Sequence, residues 1–196
     1  MNPHADRHTM RNRRRAMSSR QQNDASQSIL KKIREQNILD NAKRVAIYFA
    51  TDGEINPLEM PQCFYHSNRN WYLPRLNQSG KKMMDFALFT ADTKMAVNKF
   101  GILEPCFECS EGESANKMDI IFLPLVGFDR KGNRLGMGGG YYDSALAFAN
   151  QDGLPHTILV GLAHHFQEKP QLSPRIWDVK LDMIITDQEI ICVKPK

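Results

Sequence analysis

The sequence predicts an α/β fold, a single domain of three layers in which a mostly parallel or mixed sheet of about six strands is flanked by helices. Segments rich in β-branched and aromatic residues alternate along the chain with segments of helical periodicity. The run MDIIFLPLVGF at residues 118 to 128 is apolar on both faces, which is typical of a central strand covered by helices on both sides. A length of 196 residues suits one domain with one sizeable core, spanning residues 1 to 196.

The first half of the chain contains one clear helix and three strands. Apolar residues at helical spacing predict a helix over residues 19 to 38, with Ser18 or Ser19 as its N-cap. The segment RVAIYFAT at residues 44 to 51 predicts the first strand, which ends at the loop DGEINP. The other elements predicted in this half are a short helix over residues 57 to 66, the strands NWYLPRL (70 to 76) and MDFALF (84 to 89), and a loop with a short extended piece in KFGILEP (99 to 105).

The second half is predicted to alternate strands and helices. After the apolar central strand, YYDSALAFAN at residues 141 to 150 predicts a helix. HTILVGLA at residues 156 to 163 predicts another buried strand, and LDMIITDQEIICV at residues 181 to 193 predicts a final strand or hairpin.

The composition excludes a membrane span and favours a reducing compartment. The longest apolar run, residues 120 to 128, has about half the length that a membrane helix needs. The N-terminus lacks the apolar region of a secretory signal. Its composition, rich in arginine and poor in acidic residues, is similar to that of a transit peptide. The four cysteines are scattered, and the Cys106 to Cys109 pair lacks the second pair of ligands that a structural zinc site needs. We therefore expect a cytoplasmic protein.

The positive charge is concentrated at the N-terminus. Residues 1 to 20 contain six arginines and one aspartate, whereas the remainder of the chain carries a net charge of −1. A nucleic-acid surface is usually spread over a folded face that also offers aromatic residues for stacking. The segment RNRRRAM is therefore interpreted either as a solvated basic helix or as an arm that reaches back to an anion.

The segment RLGMGGGYYD at residues 134 to 143 is the main candidate for a functional loop. It follows a buried strand and leads into a predicted helix, a junction where free backbone amides attract an anion and glycines allow a phosphate to approach closely. It does not match the dinucleotide motif, because Tyr141 stands where a glycine is required, and it lacks the lysine of the Walker A motif. A tight connection without a ligand is the alternative interpretation.

Two charged residues beside these glycines favour a phosphate site. Arg134 offers a guanidinium that binds phosphate oxygens in pairs. Asp143 lies in the first turn of the predicted helix, where it either caps the helix or holds a Mg²⁺ ion. The adjacent pair His164 and His165 has no carboxylate at ligand spacing and is interpreted as polar residues at a strand end.

These segments together resemble one enzyme family. LPLVGFDRKGNRLGMGGGYYD resembles the signature of the 5-formyltetrahydrofolate cyclo-ligases, also called methenyltetrahydrofolate synthetases. The resemblance extends over nearly the whole chain, through RRRAMSSRQQ, DGEI, FGILEP and WDVKLDMIIT.

The resemblance implies an ATP-dependent ligase that closes 5-formyltetrahydrofolate to 5,10-methenyltetrahydrofolate and releases ADP and phosphate. ATP would phosphorylate the formyl oxygen, and the second folate nitrogen would then attack the formyl carbon as phosphate departs. This chemistry needs positioning and charge neutralisation rather than a protein nucleophile. Mg²⁺ is the implied cofactor, and ATP and a reduced folate are the implied partners. We expect a monomer with no nucleic-acid or membrane partner.

The resemblance also implies roles for individual residues. The basic segment 1–17 would contribute to the nucleotide site, and Arg134 and Tyr141 would be catalytic. The ATP-binding residues would be Arg7, Arg134, Leu135, Gly136, Met137, Gly138, Gly139, Gly140, Tyr141 and Tyr142. The folate-binding residues would be Phe49, Glu54, Met137 and Tyr141, and the Mg²⁺ ligands Asp143 and Asp178.

The sequence departs from the family pattern at two places. Pro3 and His4 stand where relatives often carry a lysine, so Arg11 or Arg13 is a candidate substitute. Gly139 occupies a position that can be lysine, which leaves the phosphate cradle almost purely backbone.

Without the resemblance, Glu54 and Asp178 would pass as a solvated turn carboxylate and a surface acid. Two other functions compete at this stage. One is a polyanion or RNA binder that uses the N-terminal arginines. The other is a sugar-phosphate isomerase or CoA-transferase-like enzyme on a related fold.

Overall fold

The computed structural model describes residues 3–66, 68–77, 83–107, 111–150 and 157–193. The helices are α1 Pro3–Arg15, α2 Ser19–Glu35, α3 Met60–Cys63 and α4 Tyr141–Ala145. The strands are β1 Arg44–Ala46, β2 Asn70–Leu76, β3 Met84–Phe89, β4 Met95–Val97, β5 Leu103–Pro105, β6 Gly112–Glu113, β7 Ile120–Pro124, β8 Gly127–Phe128, β9 Arg134–Leu135, β10 Ile158–Ala163, β11 Met183–Thr186 and β12 Ile190–Cys192. None of the described helices combines the length and the apolar character that crossing a membrane requires.

One mixed sheet organises the described chain, in the strand order β12-β11-β10-β7-β1-β2-β3-β6. The five central strands from β11 to β2 are parallel, and the strands outside them are antiparallel. Sequence-distant strands meet in this parallel core, since Val45 of β1 pairs with both Ile120 of β7 and Trp71 of β2. The α/β fold and the mostly parallel or mixed sheet are thus confirmed.

Both faces of the sheet are covered, as the apolar central strand predicts. Along β7, Ile120 and Phe122 lie in one buried cluster while Ile121 and Leu123 lie in the cluster on the opposite face. All four side chains are at most 2% exposed. Such a strand contributes apolar area to two cores at once, which accounts for its lack of polar alternation.

Helix α2 covers the first of these faces. Its buried residues Ile29 and Ile33 are one helical turn apart and pack into the cluster that contains Phe122. Ser18 is the N-cap and forms a capping box with Gln21, so the first of the two predicted caps is correct. The helix ends at Glu35 rather than at residue 38.

Several predicted boundaries are wrong. The main sheet has eight described strands rather than about six; the two-residue β6 is too brief to show a period of two, whereas β11 and β12 form the hairpin that was one of the two predictions for residues 181 to 193. The first strand covers three residues instead of eight, and α3 four residues instead of ten. The segment KFGILEP contributes β5 to a separate two-stranded hairpin with β4. The start of the predicted strand at residue 156 lies outside the described residues.

The predicted central strand is also divided. β7 ends at Pro124, and the remaining apolar residues form β8, which pairs with β9 in a second small sheet. The turn of this β8–β9 hairpin is built on Asp129, whose buried carboxylate accepts hydrogen bonds from the backbone amides of Lys131, Asn133 and Leu172. This hairpin carries the glycine-rich segment away from the sheet edge.

Gly132 in this hairpin provides a test of the packing. Its φ is +80° and an added Cβ would lie 2.7 Å from the carbonyl oxygen of Leu181, so we expect Gly132→Ala to lower the free energy of unfolding by about 2 kcal/mol or more. Gly101→Ala is the control, because Gly101 has a similar φ of +75° with open space around it, and only the conformational cost of about 1 kcal/mol applies. Urea unfolding measures both variants. Equal losses would contradict the close approach of Leu181.

Candidate active site

The candidate site lies along the edge of the sheet where the parallel strands end. The chain that follows β1 contains the acid loop, residues 51–54, and the chain that follows β7 contains the β8–β9 hairpin and the glycine loop, residues 136–140. Ligand sites of open α/β sheets are found outside this carboxyl edge. The strand order therefore brings together predicted residues that are far apart in the sequence.

The glycine loop presents exposed backbone. Gly138 and Gly140 have φ values of +95° and +76°, which side-chain-bearing residues rarely adopt. In the part of the chain that the structure describes, the loop amides donate no backbone hydrogen bond outside the β8–β9 ladder. Helix α4 begins directly after Gly140 and ends at Ala145 rather than at residue 150, so its dipole adds little. The loop therefore offers unpaired backbone amides as its main donors, and a phosphate cradle at this position stays a prediction.

Helix α1 places an arginine against this loop. The Nε of Arg7 donates a hydrogen bond of 2.7 Å to the carbonyl oxygen of Gly136. Its guanidinium carbon lies 3.6 Å from the position that a Cβ on Gly138 would take. The interpretation of the N-terminus as an arm that reaches back to the site therefore describes Arg7, and the interpretation as a fully solvated helix is wrong for it.

Arg134 is buried beneath the loop between two carboxylates. Its guanidinium forms an ion pair with Asp143 and donates to the carbonyl oxygen of Val179. Burial lowers the pKa of Arg134, whereas the negative charges of Asp143 and Asp178 oppose this shift. The structure thus brings both predicted metal ligands to one side chain.

The carboxylate of Asp143 does not act as a helix cap. Its recorded partner among the described residues is Arg134, not an amide of α4. Asp178 accepts a hydrogen bond of 2.9 Å from the amide of Arg175. Both carboxylates keep oxygens that are free to take a further cation.

Glu54 is held inside the acid loop and is almost fully buried. Its Oε2 accepts a hydrogen bond of 3.0 Å from the amide of Thr51, and its Oε1 lies 3.5 Å from Nη1 of Arg14. Burial raises the pKa of Glu54, and the charge of Arg14 and the Thr51 amide offset only part of that rise. The alternative of a solvated turn carboxylate is therefore wrong.

Two aromatic residues connect Glu54 to the rest of the site. Burial raises the pKa of Tyr142, and the negative charge of Glu54 raises it further, so the two groups lie within electrostatic range of each other. Phe49, half-buried, packs edge-to-face on Phe89 with ring centroids 6.4 Å apart. Phe49 was predicted alone as an apolar wall of the folate site; Phe89 of β3 adds a second aromatic ring beside it.

Tyr141 and Met137 lie on the outer side of the glycine loop. The ring of Tyr141 packs edge-to-face on Phe100 at 5.7 Å, and Nζ of Lys99 lies 5.4 Å from its centroid. Met137 is half exposed. Sequence reasoning missed Lys99 and Phe100, although the turn of the β4–β5 hairpin between two short apolar pieces was the available signal.

A second group of ligand-type side chains lies nearby. Atoms of His165, Glu168 and Glu189 lie within 4.8 Å of one another. The guanidinium of Arg130 donates to both glutamates, at 2.8 Å and 3.2 Å, and so supplies the positive charge that they require. We therefore assign no metal to this cluster.

Comparisons with known proteins agree with the geometry. A family model described as the 5-formyltetrahydrofolate cyclo-ligase family matches residues 3–187. A protein of Haemophilus influenzae named 5-formyltetrahydrofolate cyclo-ligase is 40% identical over 168 residues, which cover 84% of this chain and 87% of that protein. A protein of the same name from Escherichia coli is 28% identical over 183 residues, which cover 92% of this chain and 98% of that protein.

A solved structure confirms the fold. The NMR structure of a 5,10-methenyltetrahydrofolate synthetase from Aquifex aeolicus superposes with a TM-score of 0.81 at 24% identity. The match covers 100% of this chain and 95% of that one. At this identity the likeness concerns the fold.

Two carboxylates of the acid loop, Glu54 and Asp52, are expected to change the stability of the protein with pH in opposite directions. The pKa of Glu54 is raised above its usual 4.5, so its ionisation costs stability as the pH rises from about 4.5 through the folded pKa. For Asp52, burial opposes ionisation but hydrogen bonds from Arg11, Arg15 and Arg14 lower the pKa, so its stabilisation is lost as the pH falls below 3.8.

Urea unfolding of the protein, Glu54→Gln and Asp52→Asn across this pH range measures the effect. The protein should lose stability relative to Glu54→Gln as the pH rises above 4.5, and relative to Asp52→Asn as it falls below 3.8. Parallel curves for the protein and Glu54→Gln would contradict the buried position of this carboxylate.

Proposed function

The chain belongs to the 5-formyltetrahydrofolate cyclo-ligase family, and we propose that it closes 5-formyltetrahydrofolate to 5,10-methenyltetrahydrofolate at the carboxyl edge of its sheet, with ATP as co-substrate. One observation carries the assignment to this edge. Arg7 donates to the glycine loop, which leads into α4, and the charge of the buried Glu54 raises the pKa of Tyr142 in the first turn of that helix. A phosphate-type loop therefore lies within electrostatic range of a buried hydrogen-bond acceptor and of the aromatic residues at the start of α4.

The reaction requires little covalent chemistry from the protein. The formyl oxygen takes the γ-phosphoryl group of ATP and ADP leaves; the second folate nitrogen then attacks the formyl carbon, loses its proton, and expels phosphate. In total, one carbon–nitrogen bond and one phosphorus–oxygen bond form, while the phosphoanhydride bond of ATP and the formyl carbon–oxygen bond break. The demands on the protein are alignment of the two substrates and neutralisation of the transferring phosphoryl group.

The nucleotide end of the proposed site is built from the glycine loop and two arginines. Backbone amides of residues 136 to 140 would bind the phosphate oxygens, as in other anion-binding loops. Arg7 and Arg134 would add positive charge from opposite sides of the loop, and charge-assisted hydrogen bonds of this kind are the strong ones. Leu135 and Tyr142 would complete the ATP-binding set at its two ends.

The folate end of the proposed site is built on the acid loop. Glu54 would accept hydrogen bonds from the ring system of the reduced folate, and Phe49 would form an apolar wall beside it. Tyr141 and Met137 would contact both substrates, because they lie where the glycine loop turns into α4. Tyr141 and Arg134 are the residues we place next to the transferring phosphoryl group.

Asp143 and Asp178 fit the role of Mg²⁺ ligands. Carboxylate oxygens are the donors that Mg²⁺ prefers, and the negative charges of both carboxylates act on Arg134. Asp143 is one-third exposed, so a hydrated ion has access to it. When bound there, Mg²⁺ would neutralise charge on the ATP phosphates.

The proposed setting follows from the same contacts. We propose a single domain in which segment 1–17 belongs to the nucleotide site, acting as a monomer in the cytoplasm without a nucleic-acid or membrane partner. Three described cysteines are free thiols, as a reducing compartment requires. An RNA binder is not supported, because Arg11, Arg14 and Arg15 are occupied by Asp52. Nothing supports a sugar-phosphate isomerase or CoA-transferase-like activity.

The direct test is an absorbance assay. Purified protein mixed with 5-formyltetrahydrofolate, ATP and Mg²⁺ should accumulate the near-ultraviolet absorbance of the methenyl product. Reactions without ATP, and with a non-hydrolysable ATP analogue, are the controls and should stay flat. No absorbance increase with fresh substrate would overturn the proposed function.

A second test concerns the metal ligand. Asp143→Asn should reduce kcat/KM by about a hundredfold or more and raise the Mg²⁺ concentration needed for half-maximal rate, because the neutral amide still pairs with Arg134 but loses its charge toward the ion. Far-UV circular dichroism should show an unchanged fold. Ser144→Ala, at the exposed neighbouring position, is the matched control and should retain activity. Activity of Asp143→Asn at an unchanged Mg²⁺ requirement would remove Asp143 from the site.

A further inference from the structure

Arg14 is an arginine in the interior of the molecule. Its side chain is 0% exposed, whereas those of Arg11 and Arg15 in the same helix are 35% and 53% exposed. A buried guanidinium is costly unless charged and polar partners surround it. Its position therefore requires an explanation that its neighbours do not.

Three acceptors surround this guanidinium, and they belong to two different chain segments. Nη1 donates to the carbonyl oxygen of Leu125 at 3.0 Å and lies 3.5 Å from Oε1 of Glu54. Nη2 donates to Oδ2 of Asp52 at 3.2 Å. One side chain of α1 thus connects both carboxylates of the acid loop to the chain leaving β7.

The two carboxylates depend on Arg14 to different degrees. Asp52 also pairs with Arg11 and Arg15, so it keeps two cations if Arg14 is removed. Among the described residues, the recorded ion pairs of Glu54 come from Arg14 alone. Loss of the Arg14 charge therefore affects Glu54 far more than Asp52.

The backbone of the acid loop is shaped around Arg14. Gly53 has a φ of +74°, and a Cβ at this position would lie 2.9 Å from the carbonyl oxygen of Arg14. On the other side, the carbonyl oxygen of Gly53 lies 3.0 Å from Nε2 of His164, which follows β10. The ring of His164 stacks on Phe166 at 5.3 Å, and Arg13 covers Phe166 at 4.3 Å. The loop is clamped between α1 and the end of β10.

We propose that Arg14 is a positioning residue of the reduced-folate site, whose buried guanidinium orients the carboxylate of Glu54 and holds the acid loop against the sheet edge. This inference rests on the proposed function, in which Glu54 accepts hydrogen bonds from the folate. Arg14 itself has no exposed surface with which to touch either substrate.

The groups around Glu54 make the proposed folate binding dependent on pH. The groups that face Glu54 are the guanidinium of Arg14, the carboxylate of Asp52, the amide and hydroxyl of Thr51, and the phenols of Tyr48 and Tyr142. Burial raises the pKa of both phenols, so they stay neutral, and the arginines that pair with Asp52 keep it ionised. Burial lowers the pKa of His164 behind the loop. Because the pKa of Glu54 is raised and that of Asp52 is lowered, Glu54 is the first of these two carboxylates to take up a proton as the pH falls.

Removal of Arg14 should weaken folate binding selectively. Burial already raises the pKa of Glu54, and the loss of the nearby positive charge raises it further. Arg14→Gln should therefore raise the KM for 5-formyltetrahydrofolate about tenfold or more at neutral pH, while the KM for ATP changes less than about twofold. The folate KM of the variant should fall as the pH rises. The pH below which the folate KM increases should be higher for the variant than for the unmodified protein.

Steady-state kinetics of the full chain across pH tests this, with three comparison proteins. Arg14→Lys keeps a charge but loses the forked geometry and should fall between the unmodified protein and Arg14→Gln. Arg15→Gln removes a cation from the same Asp52 without reaching Glu54, so its effect on the folate KM should be at least about fivefold smaller. In a Glu54→Gln background, Arg14→Gln should change the folate KM by less than about twofold, because the carboxylate that Arg14 orients is no longer present.

The outcomes separate this inference from the proposed function. An unmodified protein that fails to form the methenyl product overturns the function. An active protein in which Arg14→Gln raises the KM values for ATP and folate equally, or acts as strongly in the Glu54→Gln background, overturns the positioning role. If Arg14→Gln does not fold by circular dichroism, the pH profile of Arg14→Lys decides, and a profile identical to that of the unmodified protein counts against the proposal.

Discussion

The parallel alignment of the central strands is the constraint on which the site depends. Because β1, β7, β10 and β11 all run in one direction, the chain segments that follow them emerge at one edge. The acid loop is therefore a neighbour of the glycine loop and of the residues after β10, although more than 80 positions separate it from either of them in the sequence. The two antiparallel edge regions contribute no such convergence, and in the described chain the predicted site residues lie apart from β12 and β6.

The N-terminal helix completes this edge through electrostatics rather than apolar packing. Among the residues of α1 whose burial is described, Met10 is the buried apolar one, and the other contacts come from arginines and from Asp6, which pairs with Lys169. Arg7 binds a glycine-loop carbonyl, and Arg14 neutralises the acid loop. A segment whose composition resembles a solvated tail thus places one arginine, Arg14, in the interior, because the carboxylates of the acid loop supply the compensation that a buried charge requires.

The sequence was sufficient where the signal was local and repeated. The apolar run of β7 predicted a strand buried on both faces, and the candidate N-cap Ser18 or Ser19 predicted the start of α2, which the structure places at Ser19 after the cap Ser18. The contact of Arg7 with the glycine loop agrees with a role that only the family resemblance implied. Element ends were predicted poorly: α4 ends after five residues, since nothing in its periodicity marks the change to a 3-10 turn over Ala147–Asn150.

Burial of individual charges lay beyond local patterns. The arginines near the N-terminus are chemically identical, and their sequence does not reveal that Arg14 alone among those facing Asp52 is fully enclosed. That distinction depends on which face of α1 meets the sheet, a tertiary property. The pairing of Phe49 with Phe89, and of Tyr141 with Phe100, depends in the same way on strands and hairpins whose positions are set by the whole fold.

The contacts of α1 also bear on the order in which the molecule assembles. Arg7 and Gly136 are 129 positions apart, and Arg14 and Leu125 are 111 positions apart, so closing either contact orders most of the chain at once. The arginines of α1 can pair with Asp52, about 40 positions away, at an earlier stage, but the helix docks fully only after β7 and the hairpin that follows it have formed. The long separation of these last contacts also makes α1 an early element to detach, so amide hydrogen exchange should be faster in α1 than in β7. A partly folded chain would hold most of its sheet while its glycine loop still lacks Arg7.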